Sequence, residues 1–259
     1  MARSKLSTAR RNPNRMNDVN ALPQLEELLG HVFTNKKLLL ESVVHRSYIN
    51  EHPNFSTGHN ERLEFLGDAV LELVVTEFLF KSFDSDEGKL TNLRAALVNA
   101  KILAEISNEI GFEPFLFLSK GEQKDAGSKA RMYILANAIE AIIGAIYLDA
   151  GFEAASSFIH RFVITRLKYI IENQLFIDPK SRFQEAAQEF AGVTPNYKVL
   201  GETGPDHNKK FIVGLYLGEV FVAQGEGTSK QEGQEAAARA GLEAKGWLNR
   251  KSANLNLPS

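Results

Sequence analysis

The spacing of apolar and polar residues predicts helices over the first two thirds of the chain. Apolar positions recur every three to four residues, which is the period of a helix with one buried face. Polar residues, glycine and proline collect at residues 45–58 and 119–129, where we expect loops. Gly111 is expected to end one helix in the left-handed conformation. The predicted helices span residues 22–29, 36–44, 60–80, 89–110, 132–148 and 152–175.

The pattern changes after the last of these helices. Phe211, Val213, Leu215 and Leu217 alternate with other residues, as in a half-buried strand. Residues 229–232 form a capping box that opens an alanine-rich helix. The fold class is therefore an all-α domain followed by a small α+β domain of order α-β-β-β-α. The predicted elements of the second domain are a helix at 182–191, strands at 196–201, 211–217 and 220–223, and a helix from 229 to about 245.

These changes divide the chain into predicted segments. Residues 1–20 are basic and polar, which is typical of a flexible arm. Pro179 indicates a hinge, because the residue before a proline is disfavoured in helical geometry. The predicted segments are a flexible basic arm at 1–20, a helical domain at 21–176, a hinge at 177–180, an α+β domain at 181–248 and a flexible tail at 249–259.

Composition restricts the class of protein. The 259 residues are 44% hydrophobic, which fits one large or two ordinary globular domains. The chain has no cysteine, which excludes disulfides, thiol catalysis and thiolate metal ligands. We find no apolar run long enough to cross a bilayer and no hydrophobic signal segment, so we expect a cytoplasmic protein without a membrane partner.

The charge is unevenly distributed along the chain. Residues 1–17 carry five Lys or Arg and no acid, whereas residues 18–178 carry 15 basic and 23 acidic side chains. Residues 179–259 carry 10 basic and 9 acidic side chains. Because phosphate neutralisation drives nucleic-acid affinity, global charge alone does not predict a nucleic-acid binder. Any such contact must use local patches.

A row of acids follows the predicted helix at 60–80. Glu61, Glu64, Asp68 and Glu72 recur at helical spacing, where like charges repel one another. A divalent metal with hard oxygen ligands would relieve that repulsion. The alternative is an acidic face that is merely solvated. We expect the acids to lie opposite the apolar face, which comprises Leu63, Leu66, Val70, Leu73 and Val74.

The residues around this row resemble the ribonuclease III family. Residues 60–68 read Asn-Glu-Arg-Leu-Glu-Phe-Leu-Gly-Asp, which matches the family's nine-residue signature without a gap. The segments at 45–52, 87–91 and 93–95 are also similar to the family. The resemblance implies an all-α endonuclease domain that cuts double-stranded RNA with Mg²⁺ and leaves 5′-phosphate and 3′-hydroxyl ends. Mn²⁺ would substitute for Mg²⁺.

The same resemblance implies the roles of particular residues. Glu64, Asp68, Asn137 and Glu140 would hold Mg²⁺, with Asp68 and Glu140 tied most directly to catalysis. Glu61 would position substrate or water. Asn137 departs from the family pattern, which has an acid there, and the pair with Glu140 has a plain alternative as an amide–carboxylate link between helices. Phe65 would insert into a partner subunit, giving a homodimer that cuts both strands.

The second predicted domain resembles a double-stranded RNA-binding domain. The segments at 178–181, 184–185, 204–207 and 225–230 fit that family locally. Such domains read A-form RNA by shape and 2′-hydroxyls. The chain departs from the family at the start of the last helix, where Gln231 and Gln234 replace two of three lysines. The resemblance implies RNA contacts from Gln184, His207, Lys209, Lys230 and Gln234.

Two other functions are weighed against this interpretation. One is a duplex-RNA chaperone without catalysis, which the presence of Asp68 and Glu140 disfavours. The other is a small-molecule phosphohydrolase, which the second domain disfavours. Ribosomal RNA precursors and other structured transcripts are the substrates that the resemblance implies.

Overall fold

The computed structural model describes residues 19–125, 127–205 and 209–247. The chain forms two compact units, divided between Ile170 and Ile171. The predicted tail at 249–259 and nearly all of the predicted basic arm lie outside the described residues. The boundaries at 20, 176, 180 and 248 stay predictions.

The first unit is helical, as the apolar spacing predicts. Its helices are α1 (Leu22–Leu29), α2 (Lys36–Ser42), α3 (Arg46–Glu51), α4 (Glu61–Ser82), α5 (Glu87–Val98), α6 (Ala100–Ile110), α7 (Lys120–Lys124) and α8 (Lys129–Phe162), and α9 (Leu167–Glu172) spans the division between the units. Gly30 and Gly111 end α1 and α6 with φ of 68° and 79°. These positive values confirm the expected left-handed cap at Gly111.

Both predicted loops contain a short helix. The helix α3 lies within residues 45–58, and the Ser47 backbone N–H donates to the side chain of His45. The helix α7 lies within residues 119–129, where the Glu122 N–H donates to the Ser119 hydroxyl at 3.2 Å. Both predictions of irregular loops were therefore wrong in part. Side-chain caps stabilise single turns that are too short for apolar spacing to reveal.

Two predicted helix boundaries also differ. The predicted helix at 89–110 is two helices, because Asn99 is extended and accepts a hydrogen bond from the Ile102 N–H at 3.0 Å. The predicted helices at 132–148 and 152–175 are continuous from Lys129 to Phe162, apart from a kink at Gly151, where φ is 81°. Capping side chains and glycine conformation decided these ends, and apolar spacing contains neither signal.

The core of the first unit lies between α4 and α8. Leu71 and Val75 of α4 are fully buried, as are Ile139, Ile142 and Ile143 of α8. Leu73, which we predicted on the core face, is 57% exposed. Glu64 and Leu71 are seven residues apart and share a side of α4, so the acidic row borders the buried face and does not oppose it. The prediction that the acids lie opposite the apolar face was therefore wrong. The reason is that α4 is buried on more sides than a surface helix is.

One stretch of the first unit meets the length and composition of a membrane span. It lies within Lys129–Glu172 and has an apolar window of 18 residues, of which 61% is buried inside the protein. A helix in a protein core passes the same test. The expectation that no segment crosses a membrane stays a prediction.

The second unit is an antiparallel sheet with helices packed on one side. Its elements are α10 (Pro179–Ala191), β1 (Pro195–Thr203), β2 (Lys210–Leu217), β3 (Val220–Gly227) and α11 (Lys230–Ala244), and the strand order is β1-β2-β3. Phe183, Leu215 and Trp247 lie in its core. The α-β-β-β-α order confirms the predicted fold class.

Two details of the second unit refine the prediction. The Glu232 N–H donates to the Ser229 hydroxyl at 3.1 Å, but the Glu232 carboxylate accepts from the Thr228 N–H at 2.9 Å. The expected capping box is thus extended by one residue. Phe190, predicted on the buried side of α10, is 43% exposed and lies beside Trp247, with ring centroids 5.6 Å apart.

Candidate active site

The helices α4 and α8 touch through their backbones at two glycines. A Cβ atom on Gly67 would lie 1.7 Å from the Glu140 carbonyl oxygen, and one on Gly144 would lie 2.2 Å from the Leu63 carbonyl oxygen. No real side chain fits such distances. This close approach sets Glu64 and Asp68, which flank Gly67, against the part of α8 that carries Glu140.

Burial and neighbouring charges raise the pKa of two carboxylates at this contact. Burial raises the pKa of Glu140 to about 8, and the charges of Asp68, Glu64 and Glu72 add to the shift. Burial and the charge of Glu61 raise the pKa of Glu64. These electrostatic effects mean that Glu140 lies near Asp68, Glu64 and Glu72, and that Glu64 lies near Glu61 and Asp68.

Asn137 is tied to the same cluster. Its side-chain hydrogen bond to Glu64 opposes the rise in the Glu64 pKa, because the amide N–H donates to the charged carboxylate. Asn137 and Glu140 are three residues apart on α8 and are both half-buried. The amide therefore links α8 to α4, as the plain alternative describes, and at the same time it lies among the acids.

Glu61 stands at the edge of the cluster, next to two basic groups. Its carboxylate lies 3.5 Å from the Arg46 guanidinium and 3.6 Å from His59 Nδ1. All three side chains are at least a third exposed, so these pairs contribute little to stability. Asn60, which precedes α4, is buried and donates to the Ser42 carbonyl at 3.3 Å. That bond fixes where α4 begins.

Glu72 and Arg94 belong to the site, although sequence reasoning did not assign them to it. Glu72 contributes to the raised pKa of Glu140. The Arg94 Nε lies 2.8 Å from the Glu72 carboxylate, and its guanidinium also donates to the Thr76 hydroxyl at 3.1 Å. The signal was present, since Glu72 continues the acidic row and Arg94 lies in a segment similar to the ribonuclease III family.

The donor chemistry of the cluster fits a hard divalent cation. Glu64, Asp68 and Glu140 offer carboxylates and Asn137 offers an amide oxygen, which are ligands that Mg²⁺ and Mn²⁺ accept. Within the described residues, no three His, Asp or Glu side chains stand close enough together to form a ready metal site. The oxygen atoms of these side chains are therefore suitable ligands for the metal, but the side chains are not already arranged around a metal position.

Phe65 is the most exposed large apolar side chain of α4. It is 81% exposed, and Leu73 and Phe80 on the same helix are 57% and 76% exposed. Positions 65, 69, 73, 76 and 80 lie on one side of a helix, because successive residues advance by about 100°. We call Phe65, Leu73 and Phe80 the apolar stripe of α4.

The RNA-contact residues predicted in the second unit fall on two helices and a strand end. Gln184 lines an open groove along α10, and Lys230 is exposed at the first position of α11. The Lys209 ammonium pairs with the Glu202 carboxylate at 2.6 Å. The Gln234 amide oxygen accepts a hydrogen bond from the Lys180 ammonium at 2.7 Å. His207 lies outside the described residues.

A helical unit with an acidic cluster, followed by an α-β-β-β-α unit, defines a class of nucleases that carry an RNA-binding domain. Comparison with known families agrees: residues 35–167 match the Ribonuclease-III-like family and residues 179–245 match the double-stranded RNA binding motif. The chain belongs to the ribonuclease III family.

Individual relatives support this assignment over most of the chain. Ribonuclease 3 of Carboxydothermus hydrogenoformans is 46% identical over 87% of this chain and 96% of its own length. Ribonuclease 3 of Bdellovibrio bacteriovorus is 43% identical over 85% of this chain and 94% of its own length. A solved nuclease domain of ribonuclease III from Campylobacter jejuni, described as flexible in a region involved in dimer formation, is 44% identical and covers 56% of this chain and 96% of its own, with a TM-score of 0.50.

Proposed function

We propose that this double-strand-specific endoribonuclease uses Mg²⁺, held by Glu64, Asp68, Asn137 and Glu140, with Mn²⁺ as a substitute. The observation that carries the proposal is the backbone contact of α4 with α8 at Gly67 and Gly144, because it gathers these oxygen donors. When bound, the metal would neutralise phosphate charge and lower the pKa of a water molecule. The products are 5′-phosphate and 3′-hydroxyl ends.

The chain's own residues prepare the site for that chemistry. The Asn137 amide donates a hydrogen bond to the Glu64 carboxylate, which ties α8 to α4 beside the acids. Asp68 and Glu140 are the catalytic residues. The pKa of Glu140 is raised first by burial and then by neighbouring carboxylates, whose charge a cation would compensate. Glu61, set between Arg46 and His59, positions substrate or water.

The active protein is a homodimer in this proposal. The apolar stripe of α4 is too large and too exposed for an ordinary solvated helix face, and it lies beside the acidic cluster. Phe65 inserts into the partner subunit, and pairing of two stripes covers both. Two clusters in one dimer give one cut in each strand of a duplex.

The second unit binds the duplex through Gln184, His207, Lys209, Lys230 and Gln234. Polar side chains such as Gln184 suit 2′-hydroxyls in the minor groove, and lysines suit phosphates. The enzyme is cytoplasmic, does not bind membranes, and processes ribosomal RNA precursors and other structured transcripts.

A cleavage assay tests the central proposal. Duplex and single-stranded RNA of the same sequence are incubated with the protein, with Mg²⁺ or with a chelator, and the ends are mapped. We expect cleavage of the duplex alone and only with metal. Glu140→Gln should abolish cleavage and keep duplex binding, whereas Glu27→Gln on the exposed side of α1 should behave as wild type. Binding without cleavage by the wild type would instead favour the RNA chaperone.

A further inference from the structure

The start of α11 is poorly supplied with positive charge for a phosphate-binding surface. Lys230 is the only Lys or Arg between Ser229 and Ala238, and the same stretch contains Glu232 and Glu235. The Gln231 amide donates to the Glu235 carboxylate at 3.1 Å, so it is engaged along the helix. If the first two turns of α11 acted alone, their binding of the RNA backbone would rest on a single cation.

A second cation reaches this surface from another helix. The Lys180 ammonium, from the first turn of α10, donates to the Gln234 amide oxygen at 2.7 Å. Gln234 is four residues after Lys230, on the same side of α11. The charge of Lys180 therefore stands one helical turn along from Lys230, at the position where Gln234 itself supplies none.

The partners of Lys180 leave its charge available. Gln234 is neutral, so the hydrogen bond between them does not cancel the charge, and an ammonium group has two further protons to donate. The ammonium lies over the Tyr197 ring, 5.7 Å from the ring centroid, and this neutral contact does not cancel its charge either. The nearby Asp178 carboxylate is engaged in capping α10, since it accepts from the Lys180 and Ser181 backbone N–H groups at 3.2 and 3.3 Å.

Lys209, unlike Lys180, has a charged partner that competes for its ammonium group. Its ammonium forms an ion pair with Glu202 at 2.6 Å, and this pairing lowers the pKa of Glu202. An ammonium that already faces a carboxylate gains less from a phosphate, because the new contact must compete with the existing pair. Among Lys180, Lys209 and Lys230, the cation with a neutral hydrogen-bond partner is Lys180.

Lys180 also lies between two parts of the proposed RNA surface. It precedes Gln184 by four residues on α10, so the two side chains share a face of that helix. Through Gln234 it meets the face of α11 that carries Lys230. We propose that Lys180 is a phosphate-binding residue of the duplex-RNA surface, which supplies from α10 the cation that Gln234 does not supply on α11.

This inference rests on the proposed duplex binding, and salt dependence tests it. Each phosphate contact adds about one unit to the slope of log affinity against log salt. Lys180→Gln, in the full-length chain with Glu140→Gln to prevent cleavage, should weaken binding of a duplex of about 20 base pairs roughly fivefold and reduce the slope by about one. Lys230→Gln should have a similar effect.

Two further variants separate a phosphate contact from a structural role. Lys180→Arg keeps the charge and should bind with nearly the wild-type slope. Lys198 is an exposed lysine on β1, and its ammonium pairs with the Glu219 carboxylate at 3.8 Å. Lys198→Gln should leave the slope unchanged. Thermal unfolding of every variant is recorded in the same buffer.

The outcomes distinguish this inference from the proposed function. An unchanged slope for Lys180→Gln, with a reduced slope for Lys230→Gln, overturns the role of Lys180 alone. A loss of affinity that accompanies a lower unfolding temperature and is not restored by Lys180→Arg assigns Lys180 to helix packing and also overturns it. Failure of the parent protein to bind the duplex overturns both proposals.

Discussion

Asn137 is the residue at which the proposed metal site departs from the acidic pattern of its family. An amide oxygen can bind Mg²⁺, but it lacks the full charge that makes a carboxylate a strong ligand. In this chain the amide also donates to Glu64, which an aspartate could not do at neutral pH. In the proposed metal site, an asparagine at this position would therefore bind Mg²⁺ more weakly than an aspartate and repel the neighbouring acids less.

We expect Asn137→Asp to lower the Mg²⁺ concentration that gives half-maximal cleavage. In the presence of a chelator the same change should slightly lower the unfolding temperature, because it removes a hydrogen bond and adds a like charge. A Mg²⁺ titration of cleavage and a thermal scan measure the two effects. If both proteins need the same Mg²⁺ concentration, Asn137 is not a ligand.

The raised pKa of Glu140 predicts how stability depends on pH without metal. The pKa is about 8 in the folded protein and 4.5 in its ordinary state. Between these values the folded protein holds a proton that the unfolded chain has lost, so the free energy of unfolding falls as the pH rises through this window. Below pH 4.5 both states are protonated and this loss is absent.

Glu140→Gln should remove that dependence. In chelator, the variant should unfold at a higher temperature than wild type at pH 8.5, and the difference should shrink toward pH 5. Glu27→Gln, at an exposed carboxylate of α1, is the matched control and should show no such difference. An equal pH dependence in wild type and Glu140→Gln would mean that Glu140 is not held away from water beside other acids.

At the residue scale, the sequence predicted the members of the cluster better than their environment. The resemblance to the ribonuclease III family pointed to Glu64 and Asp68 through the nine-residue signature, and to Asn137 and Glu140 through their match to a second family pattern. The Arg94 pair with Glu72 could not be predicted, because it depends on how α5 lies against α4. The bond from Lys180 to Gln234 joins residues distant in sequence and escaped prediction for the same reason.

At the scale of elements, the long helices followed from apolar spacing and the short ones did not. The helices α3 and α7 are single turns held by the side chains of His45 and Ser119. Asn99 ends α5 and begins α6. Apolar spacing alone predicted one continuous helix there. The isolated bridge from Val44 to Phe117 is a long-range pairing that no local pattern contains.

The contact of α4 with α8 predicts a large effect of a single methyl group. Gly67→Ala places a Cβ against the Glu140 carbonyl, so the helices must separate or the protein must lose stability. We expect a loss of about 1–3 kcal/mol, typical of overpacking, and a larger loss of cleavage than of duplex binding.

Gly121→Ala on α7 is the matched control, because its Cβ would meet the Ser119 hydroxyl at an ordinary 3.8 Å. Denaturant unfolding and a cleavage assay compare the two variants. Wild-type stability and activity in Gly67→Ala would mean that the helices are not in backbone contact there.

At the scale of the whole molecule, the two units predict separable functions. Removal of everything after Phe176 should leave a folded helical protein that cuts duplex RNA at low salt and only weakly at physiological salt, because the phosphate contacts of the second unit are lost. Circular dichroism and cleavage at two salt concentrations measure this. A truncated chain that does not fold would contradict the predicted boundary.

The apolar stripe of α4 predicts how two copies assemble. Phe65→Ala should weaken dimerisation by about 2 kcal/mol or more, as expected for an anchor aromatic at an interface. Sedimentation at several micromolar concentrations measures the change, with Val32→Ala as a control at another exposed apolar residue. An unchanged dimer would remove Phe65 from the interface.

The division of the acids between α4 and α8 also determines the order in which the parts of the proposed site are made during translation. The ribosome makes domains from the N-terminus at roughly 5–20 residues per second, and α4 emerges well before α8. A growing chain that lacks α8 holds Glu64 and Asp68 without Glu140. Its second unit is made after α8. If Glu140 is catalytic, as we propose, the nascent protein cannot cut hairpins in the message that encodes it before α8 has been made.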